Sequence, residues 1–452
     1  MTLVMKFGGT SMGDAERIRH CAGLVREQES KHGVVAVVSA MSGVTDLLLE
    51  LAAAAAACNR AATHRIQAEL RTRHEAAART LGATTAVHSL LDRLDVLVSG
   101  LAAVGELTMR SRDAVVSFGE RLSAELMAAA LGCRAMTGHE IGIVTNDQFG
   151  EADPLMDLTL FQVRQTLEPL LASAKRVVVT GFIAGTQHGV ISTLGRGGSD
   201  YTATIIGAAL PAEEIWIWSD VDGLMTANPK VVPEAKLLAG ITFAEAIEMG
   251  QFGAKSMHPR ALEPAATARI PVRMRNTFNP QCAGTLISEG ATSDRIVRSV
   301  LSVSNTALVT VSGAAMIGRP GTAARVFDAL AKRDVNILMI SQSVSEAGIS
   351  LVVAGSQLER ARAALDGQLV RTGDVRDLGV EAGMTVVAVV GSAMRGTPGV
   401  AARVFGAIAK HSVNVSAIAQ GSSELSISFV VHGEQGATAV RVLHGEFGLD
   451  RA

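Results

Sequence analysis

Through residues 1–290, short apolar runs alternate with stretches whose apolar side chains recur every three or four positions. That alternation predicts strands interleaved with helices, the arrangement of parallel α/β folds. Candidate strands are Leu3–Phe7, Val34–Val38, Val177–Thr180 and Ile215–Trp218. Each runs into a polar or glycine-rich turn: Gly8-Gly9-Thr10-Ser11, Ser39-Ala40-Met41-Ser42-Gly43, Gly181-Phe182 and Ser219-Asp220. Ligands of open α/β sheets bind beyond the carboxyl ends of the strands, so chemistry is expected in these turns. Residues 46–132 are predicted to be mostly helical.

The pattern changes after Ser288. Glu289-Gly290-Ala291-Thr292-Ser293-Asp294 reads as a linker. Beyond it, Met316–Val353 aligns without a gap on Met394–Val431, at an offset of 78 residues and with 22 identities in 38 positions. Asn336 falls on Asn414 and Gln342 on Gln420. Each copy reads strand, glycine–proline turn, helix, strand, turn, strand. Two copies make a pair of small α+β modules, because a solenoid needs at least three units.

A chain of 452 residues exceeds one ordinary core, so two or three domains are expected. With 48% apolar and 19% charged residues the composition is globular rather than disordered. Only 3% of residues are aromatic and the formal charge is -2, which argues against nucleic acid or an anionic membrane as a partner. Cys21, Cys58, Cys133 and Cys282 lie far apart with no metal-like spacing, as in a reduced cytoplasmic protein. The N-terminus enters a strand without the basic and long apolar segments of a signal peptide. The tract Ala52–Ala57 is too short to span a bilayer, so a cytoplasmic location is expected.

Several short motifs carry possible chemistry. In Lys6-Phe7-Gly8-Gly9-Thr10-Ser11 two glycines let backbone N–H groups approach a phosphate, and a lysine precedes them. The spacing is not that of a Walker loop, and a plain tight turn is the other reading. Gly195-Arg196-Gly197-Gly198-Ser199-Asp200 opens an apolar helix for which Ser199 or Asp200 is the expected N-cap. A glycine-rich helix entry makes an anion site, and Arg196 adds a fork suited to carboxylate or phosphate. In Ser117-Phe118-Gly119-Glu120, the acid reads as a helix cap or as a partner for a substrate ammonium. Ser219-Asp220-Val221-Asp222-Gly223 ends a buried strand with turn formers or nucleotide contacts. Lys255, in Phe252-Gly253-Ala254-Lys255, is either solvated or reaches phosphate, and His258, followed by Pro259, reads as structural.

Together, and in this order, these motifs resemble those of the aspartate kinases, and the likeness covers essentially the whole chain. The resemblance implies a three-layer parallel-sheet amino acid kinase domain over residues 1–290. Two α+β ferredoxin-like ACT domains, 299–378 and 379–452, would follow it. The strand near Val300–Val303 is allowed to belong with the later copy. The implied reaction takes ATP and L-aspartate to ADP and 4-phospho-L-aspartate, with Mg²⁺. It is the first step toward lysine, threonine, methionine and isoleucine.

Lys6 resembles the lysine that stabilises the transferring phosphoryl group, and Asp200 the acid that organises the reacting groups. Gly8, Gly9 and Ser11 resemble the phosphate cradle, and Ser219, Asp220, Lys230 and Lys255 further nucleotide contacts. Arg196 resembles the clamp on the aspartate α-carboxylate and Glu120 the partner of its ammonium. Thr45 and Ser199 resemble further aspartate contacts. One departure stands in the loop after Gly223. Many members carry tyrosine, aspartate and arginine where this chain has Met225, Asn228 and Lys230. Lys230 keeps the charge and loses the fork.

In the tail, Gly318-Arg319-Pro320-Gly321 and Gly396-Thr397-Pro398-Gly399 lead into helices whose free N–H groups suit a carboxylate. Asn336, Ile337, Gln342, Asn414 and Gln420 resemble effector contacts, and the two glutamines resemble those of threonine-sensitive members. The plainer reading has them satisfying loop backbone. Lysine-sensitive members tend to lack this glutamine, which places threonine ahead of lysine. ACT modules usually complete their sheets side by side, so a homodimer or larger assembly is expected. The chain stops at Ala452, soon after the second repeat, so a monofunctional kinase is expected rather than a fusion with homoserine dehydrogenase. Two rivals are another acid kinase of the same fold and a non-catalytic amino-acid sensor.

Overall fold

The computed structural model describes residues 1–253, 257–291, 295–313, 321–343, 348–370 and 375–451. They form two compact units, and Lys255 and Gly318-Arg319-Pro320 lie outside the described residues.

The first unit comprises residues 1–224, 239–243 and 257–291. Its first half runs β1 (Thr2–Phe7), α1 (Ala15–Gln28), β2 (Gly33–Val38), α2 (Val44–Ala56), α3 (Arg60–Leu81), α4 (Thr84–Val104), α5 (Met109–Val116) and α6 (Phe118–Leu131). The chain continues through β3 (Ala135–Met136), β4 (Val144–Thr145), α7 (Met156–Ala174), β5 (Arg176–Thr180), β6 (Ile183–Thr186), β7 (Ile191–Thr193), α8 (Gly198–Ala209) and β8 (Glu214–Ser219). After β9 (Gly240–Ile241) comes α9 (Phe243–Gln251), most of which belongs to the second unit, then α10 (Pro259–Ala268), β10 (Val272–Asn276) and β11 (Thr285–Ile287).

The predicted helical stretch becomes α2 to α6. Asn59 caps α3 through its side chain, and Thr108 and Ser111 form a reciprocal capping box on α5. The strands assemble in the order β3-β5-β2-β1-β8-β10-β11-β9. All neighbours are parallel except β10 and β11. β4, β6 and β7 make a separate three-stranded sheet. The central strands are near-continuous apolar runs because both faces of a parallel sheet are covered. In the register, Lys6 stands opposite Val37 and Ile217, and Phe7 opposite Trp218. Phe7 and Trp218 are fully buried and stacked with centroids 6.2 Å apart, which fixes the end of β1 against β8.

The second unit comprises residues 225–238, 244–256 and 292–452. Two of its segments therefore come from within the range 1–290. Its further elements are β12 (Ser299–Ser312), α11 (Thr322–Ala331), β13 (Ile337–Gln342), β14 (Gly348–Ala354), α12 (Leu358–Leu365), β15 (Asp377–Val390), α13 (Val400–Ala409), β16 (Ala417–Gln420), β17 (Ser426–His432) and α14 (Gly433–Glu446). One antiparallel sheet runs β13-β14-β12-β15-β17-β16. The long strands β12 and β15 pair at its centre, Val300 opposite Val389 and Val303 opposite Val386.

The repeat is visible in the fold: α11 and α13, and β14 and β17, are related by the 78-residue offset. Each copy also carries a second helix, α12 or α14, which lies beyond the 38-residue alignment and was missing from the sequence plan. Thr226 joins this unit through a 2.9 Å hydrogen bond between its hydroxyl and His444 Nε2. Ala227 and Val232 pack in the same core as Val440 and Leu443 of α14. From α9, Glu245 accepts the N–H and hydroxyl of Ser392, both at 2.8 Å. Among the described residues no helix is long and apolar enough to cross a membrane.

Candidate active site

The turns that leave β1, β2, β5, β8 and β10 lie at the carboxyl edge of one parallel sheet, where such folds bind ligands. The Gly8 N–H donates to Trp218 O at 3.1 Å, and the Ser39 N–H to Phe7 O at 3.1 Å. The Gly181 N–H donates to Val38 O at 2.8 Å, and the Thr277 N–H to Ser219 O at 2.9 Å. These bonds tie five turns, far apart in sequence, into one rim.

Lys6 is buried near the end of β1, and its Nζ lies 2.6 Å from Asp200 Oδ1. Asp200 belongs to the first turn of α8, and neither it nor Ser199 is the cap that the sequence predicts. Gly197 is the N-cap, with φ 72 and no side-chain bond, so Ser199 and Asp200 fall inside the helix. A left-handed glycine turns the chain there, and a Cβ on it would stand 2.6 Å from His258 Cβ. Asp200 is thereby released from capping and pairs with Lys6. Ser199 packs against the β5 turn, since a Cβ at Gly181 would come within 2.5 Å of its side chain.

Glu120 is not the helix cap either; Ser117 holds that position. The Glu120 side chain points into the protein with 4% exposure. One oxygen accepts the Ala40 N–H at 3.1 Å, and Oε2 has no hydrogen-bond partner among the described residues. Burial pushes its pKa up to about 8, against the downward pull of the Ala40 N–H and of Lys6. A buried carboxyl with one unbonded oxygen and a lysine within electrostatic reach can receive a cation. Close packing holds it there: a Cβ at Gly119 would approach Ala40 Cβ to 2.8 Å. Arg196 is exposed, and among the described residues nothing bonds its guanidinium. Thr45 sits in the first turn of α2, just after the Ala40-to-Gly43 turn.

Other expected residues fall differently. The hydroxyl of Ser11 is fully buried and bonded to Thr277 Oγ1 at 2.7 Å, so it fastens the first glycine turn to the end of β10. Ser219 is half-buried and Asp220 exposed at the end of β8. Asn276 and Asn279 both donate to Asp222 Oδ1, at 2.8 and 3.1 Å. Lys230 lies exposed on the 225–238 segment of the second unit, where its N–H donates to Asn228 Oδ1 at 3.0 Å. Lys255 is outside the described residues.

In the second unit, Gln342 and Gln420 are exposed at the ends of β13 and β16. The Ser341 hydroxyl donates to Ile418 O at 2.9 Å, so the two strands that carry the glutamines meet. Two functional candidates had no motif. The Asn336 N–H donates to Gln357 Oε1 at 3.2 Å, and the Asn414 N–H to Gln435 Oε1 at 3.3 Å. Gln357 and Gln435 keep the 78-residue offset, so extending the alignment beyond Val353 would have found them.

Comparison with known proteins agrees with this architecture. Residues 1–276 match the amino acid kinase family, and residues 309–369 and 387–447 each match the ACT domain. Bifunctional aspartokinase/homoserine dehydrogenase 1 of Arabidopsis thaliana is 35% identical over 471 residues, covering 99% of this chain and 51% of that protein. The chain thus spans about half the length of the bifunctional relatives it matches. Aspartokinase 2 of Arabidopsis thaliana is 34% identical over 468 residues, covering 99% of this chain and 84% of that protein. Aspartokinase III of E. coli, solved in complex with aspartate and ADP and also with lysine and aspartate, superposes with TM-score 0.83 at 30% identity over 99% of both chains. The chain belongs to the aspartokinase family.

Proposed function

We propose that this chain transfers the γ-phosphoryl group of ATP to the side-chain carboxylate of L-aspartate, giving ADP and 4-phospho-L-aspartate. The observation that carries this reading is the 2.6 Å Lys6–Asp200 pair within electrostatic reach of buried Glu120. It joins the glycine turn suited to phosphate with the loop and helix suited to an amino acid. The relative from E. coli, solved with aspartate and ADP, supports the same pair of ligands.

The nucleophile needs no general base, because a side-chain carboxylate is already ionised at pH 7. Catalysis is then positioning and charge compensation. Lys6, held by Asp200, faces the oxygens that gain charge, and the Gly9 N–H faces the phosphates, the Gly8 N–H being bonded to Trp218 O. The Arg196 guanidinium takes the α-carboxylate in a bidentate grip, and Glu120 takes the α-ammonium. With both ends of the amino acid held, its side-chain carboxylate is left to attack phosphorus in line, and no covalent enzyme intermediate forms. Mg²⁺ brought by the nucleotide would offset phosphate charge. Asp220, exposed at the end of β8, is the carboxylate that would hold it beside the phosphates.

The paired modules act as a sensor in this reading, with threonine ahead of lysine because Gln342 and Gln420 offer two amides near one another. The lysine complex of the E. coli relative makes lysine the alternative. Ile340 and Ile418, equivalent in the repeat, are 46% and 45% exposed, which supports a homodimer or larger assembly. The product would feed synthesis of lysine, threonine, methionine and isoleucine, in the cytoplasm.

The test is ADP release by the purified chain with ATP and aspartate, glutamate, acetylglutamate or carbamate, each with and without threonine or lysine. Turnover with aspartate alone is expected. Preference for another acid would replace the substrate, and no turnover with any acid would leave the sensor reading.

A further inference from the structure

We propose that Asp113 is a positioning residue for the aspartate half of the site. The proposal rests on the reading that Glu120 and Arg196 hold the substrate amino acid. Asp113 lies on α5, four residues before Ser117 caps the helix that carries Glu120, and is 1% exposed. Its Oδ2 accepts the N–H groups of Gly150 and Thr193, each at 2.9 Å, and its Oδ1 accepts the Thr193 hydroxyl at 2.9 Å. Burial pushes its pKa up while these three donors pull it back. No described cation forms an ion pair with it.

Those bonds join three segments. The first is α5 and α6, with Glu120. The second is the loop at 146–153, which reaches β7 again where the Ala152 N–H donates to Thr193 O at 2.9 Å. The third begins at Thr193, the last residue of β7, three positions before Arg196 and seven before Asp200. The same loop flanks the arginine: a Cβ at Gly195 would stand 2.9 Å from Glu151 Cγ. On its far side the Leu194 N–H donates to Phe182 O at 3.0 Å. A single carboxylate thus sets the distance between the segment holding the ammonium partner and the segment holding the carboxylate clamp. Buried carboxylates are expensive unless their lone pairs are used. Here the expense is matched by three donors at the one place where the two halves of an amino-acid pocket must be kept in register.

The role is geometric, so it separates from charge. In Asp113→Asn the amide oxygen can keep both N–H donors, and the new NH₂ can donate to Thr193 Oγ1. The Thr193 hydroxyl then turns to Gly150 O, already 3.4 Å away. In Asp113→Ala the buried Thr193 N–H and the half-buried Gly150 N–H lose their acceptor. Asp113→Ala is expected to raise KM for aspartate by about tenfold or more while KM for ATP moves less than about threefold. Asp113→Asn is expected to stay within about threefold of the parent for both substrates. Thr193→Val, which removes only the hydroxyl bond, gives a smaller rise in the same direction and serves if Asp113→Ala fails to fold. Equal rises in both KM values, an unchanged KM for aspartate in both Asp113→Ala and Thr193→Val, or an Asp113→Asn enzyme as impaired as Asp113→Ala would overturn the proposal. Arg196→Ala is measured in parallel. If it leaves KM for aspartate unchanged, the reading of the pocket has failed; if it raises KM and the Asp113 and Thr193 variants do not, only the positioning role has.

Discussion

If Glu120 holds the ammonium group of aspartate as proposed, binding depends on pH in a way that can be worked out. Its folded pKa is about 8 against an ordinary 4.5, because burial disfavours the charged form. With that value, about 1% of the carboxyl is ionised at pH 6, about 10% at pH 7 and half at pH 8. An ammonium ion is held well only by the ionised form, so below pH 8 each binding event must release a proton. The binding constant for aspartate should therefore rise about tenfold per pH unit at first, about fiftyfold in all from pH 6 to pH 8, and level off above. For the ligand-free protein the sign is opposite. Between pH 4.5 and 8 the folded state holds a proton that the unfolded state has lost, so this group lowers stability as pH rises, by about 1.4 kcal/mol per unit. Calorimetric titration of aspartate in two buffers of different ionisation enthalpy reads proton release directly, with about 0.9 proton expected at pH 7. Glu120→Gln should abolish both the release and the pH slope, and weaken binding at pH 8. An affinity that is flat between pH 6 and 8, or binding with no proton release, would refute the reasoning.

Lys6→Ala should lower kcat by about a hundredfold or more, roughly 2.7 kcal/mol or greater in the transition state, in a steady-state ADP assay; turnover near the parent value would remove Lys6 from the chemistry. Gly197→Ala forces φ 72 on an L-residue and drives a Cβ to 2.6 Å from His258 Cβ. About 1–2 kcal/mol of backbone strain plus the clash should shift α8 and cut kcat/KM for aspartate by about tenfold or more; an unchanged kcat/KM would show that the helix start tolerates it. Gln357→Ala and Gln435→Ala each remove a side-chain acceptor from the asparagine N–H, worth about 0.5–1.5 kcal/mol. If threonine inhibits as proposed, both should raise the concentration needed for half inhibition by several-fold, with a smaller effect on kcat, and identical inhibition curves would exclude the two loops from effector binding.

Much of the fold was legible because its signals are local. The strands at Leu3–Phe7 and Ile215–Trp218 appear within a residue of the predicted bounds, since a buried parallel strand must be a continuous apolar run. The 78-residue repeat could be read by eye, and its strands and first helices follow. What escaped depends on tertiary geometry. Nothing local says that Gly197 rather than Ser199 begins α8; the left-handed turn and the nearness of His258 decide it. The glycine motif gives no sign that the Ser11 hydroxyl bonds Thr277, 266 positions away. Asp113 carries no motif at all. An acid on a short helix usually reads as a solvated face, and only the approach of Gly150 and Thr193 explains why it is buried. Likewise, nothing in the hydrophobic pattern assigns residues 225–238 to the second unit; the packing of Ala227 and Val232 on α14 does.

The most direct test of the account is a crystal structure of the chain with aspartate and ADP together. It should place the α-ammonium of aspartate on Glu120 Oε2, its α-carboxylate on Arg196, and its side-chain carboxylate toward Lys6 and the terminal phosphate. Aspartate bound away from Glu120 and Arg196, or a nucleotide whose phosphates do not approach Lys6, Gly8 and Gly9, would contradict it.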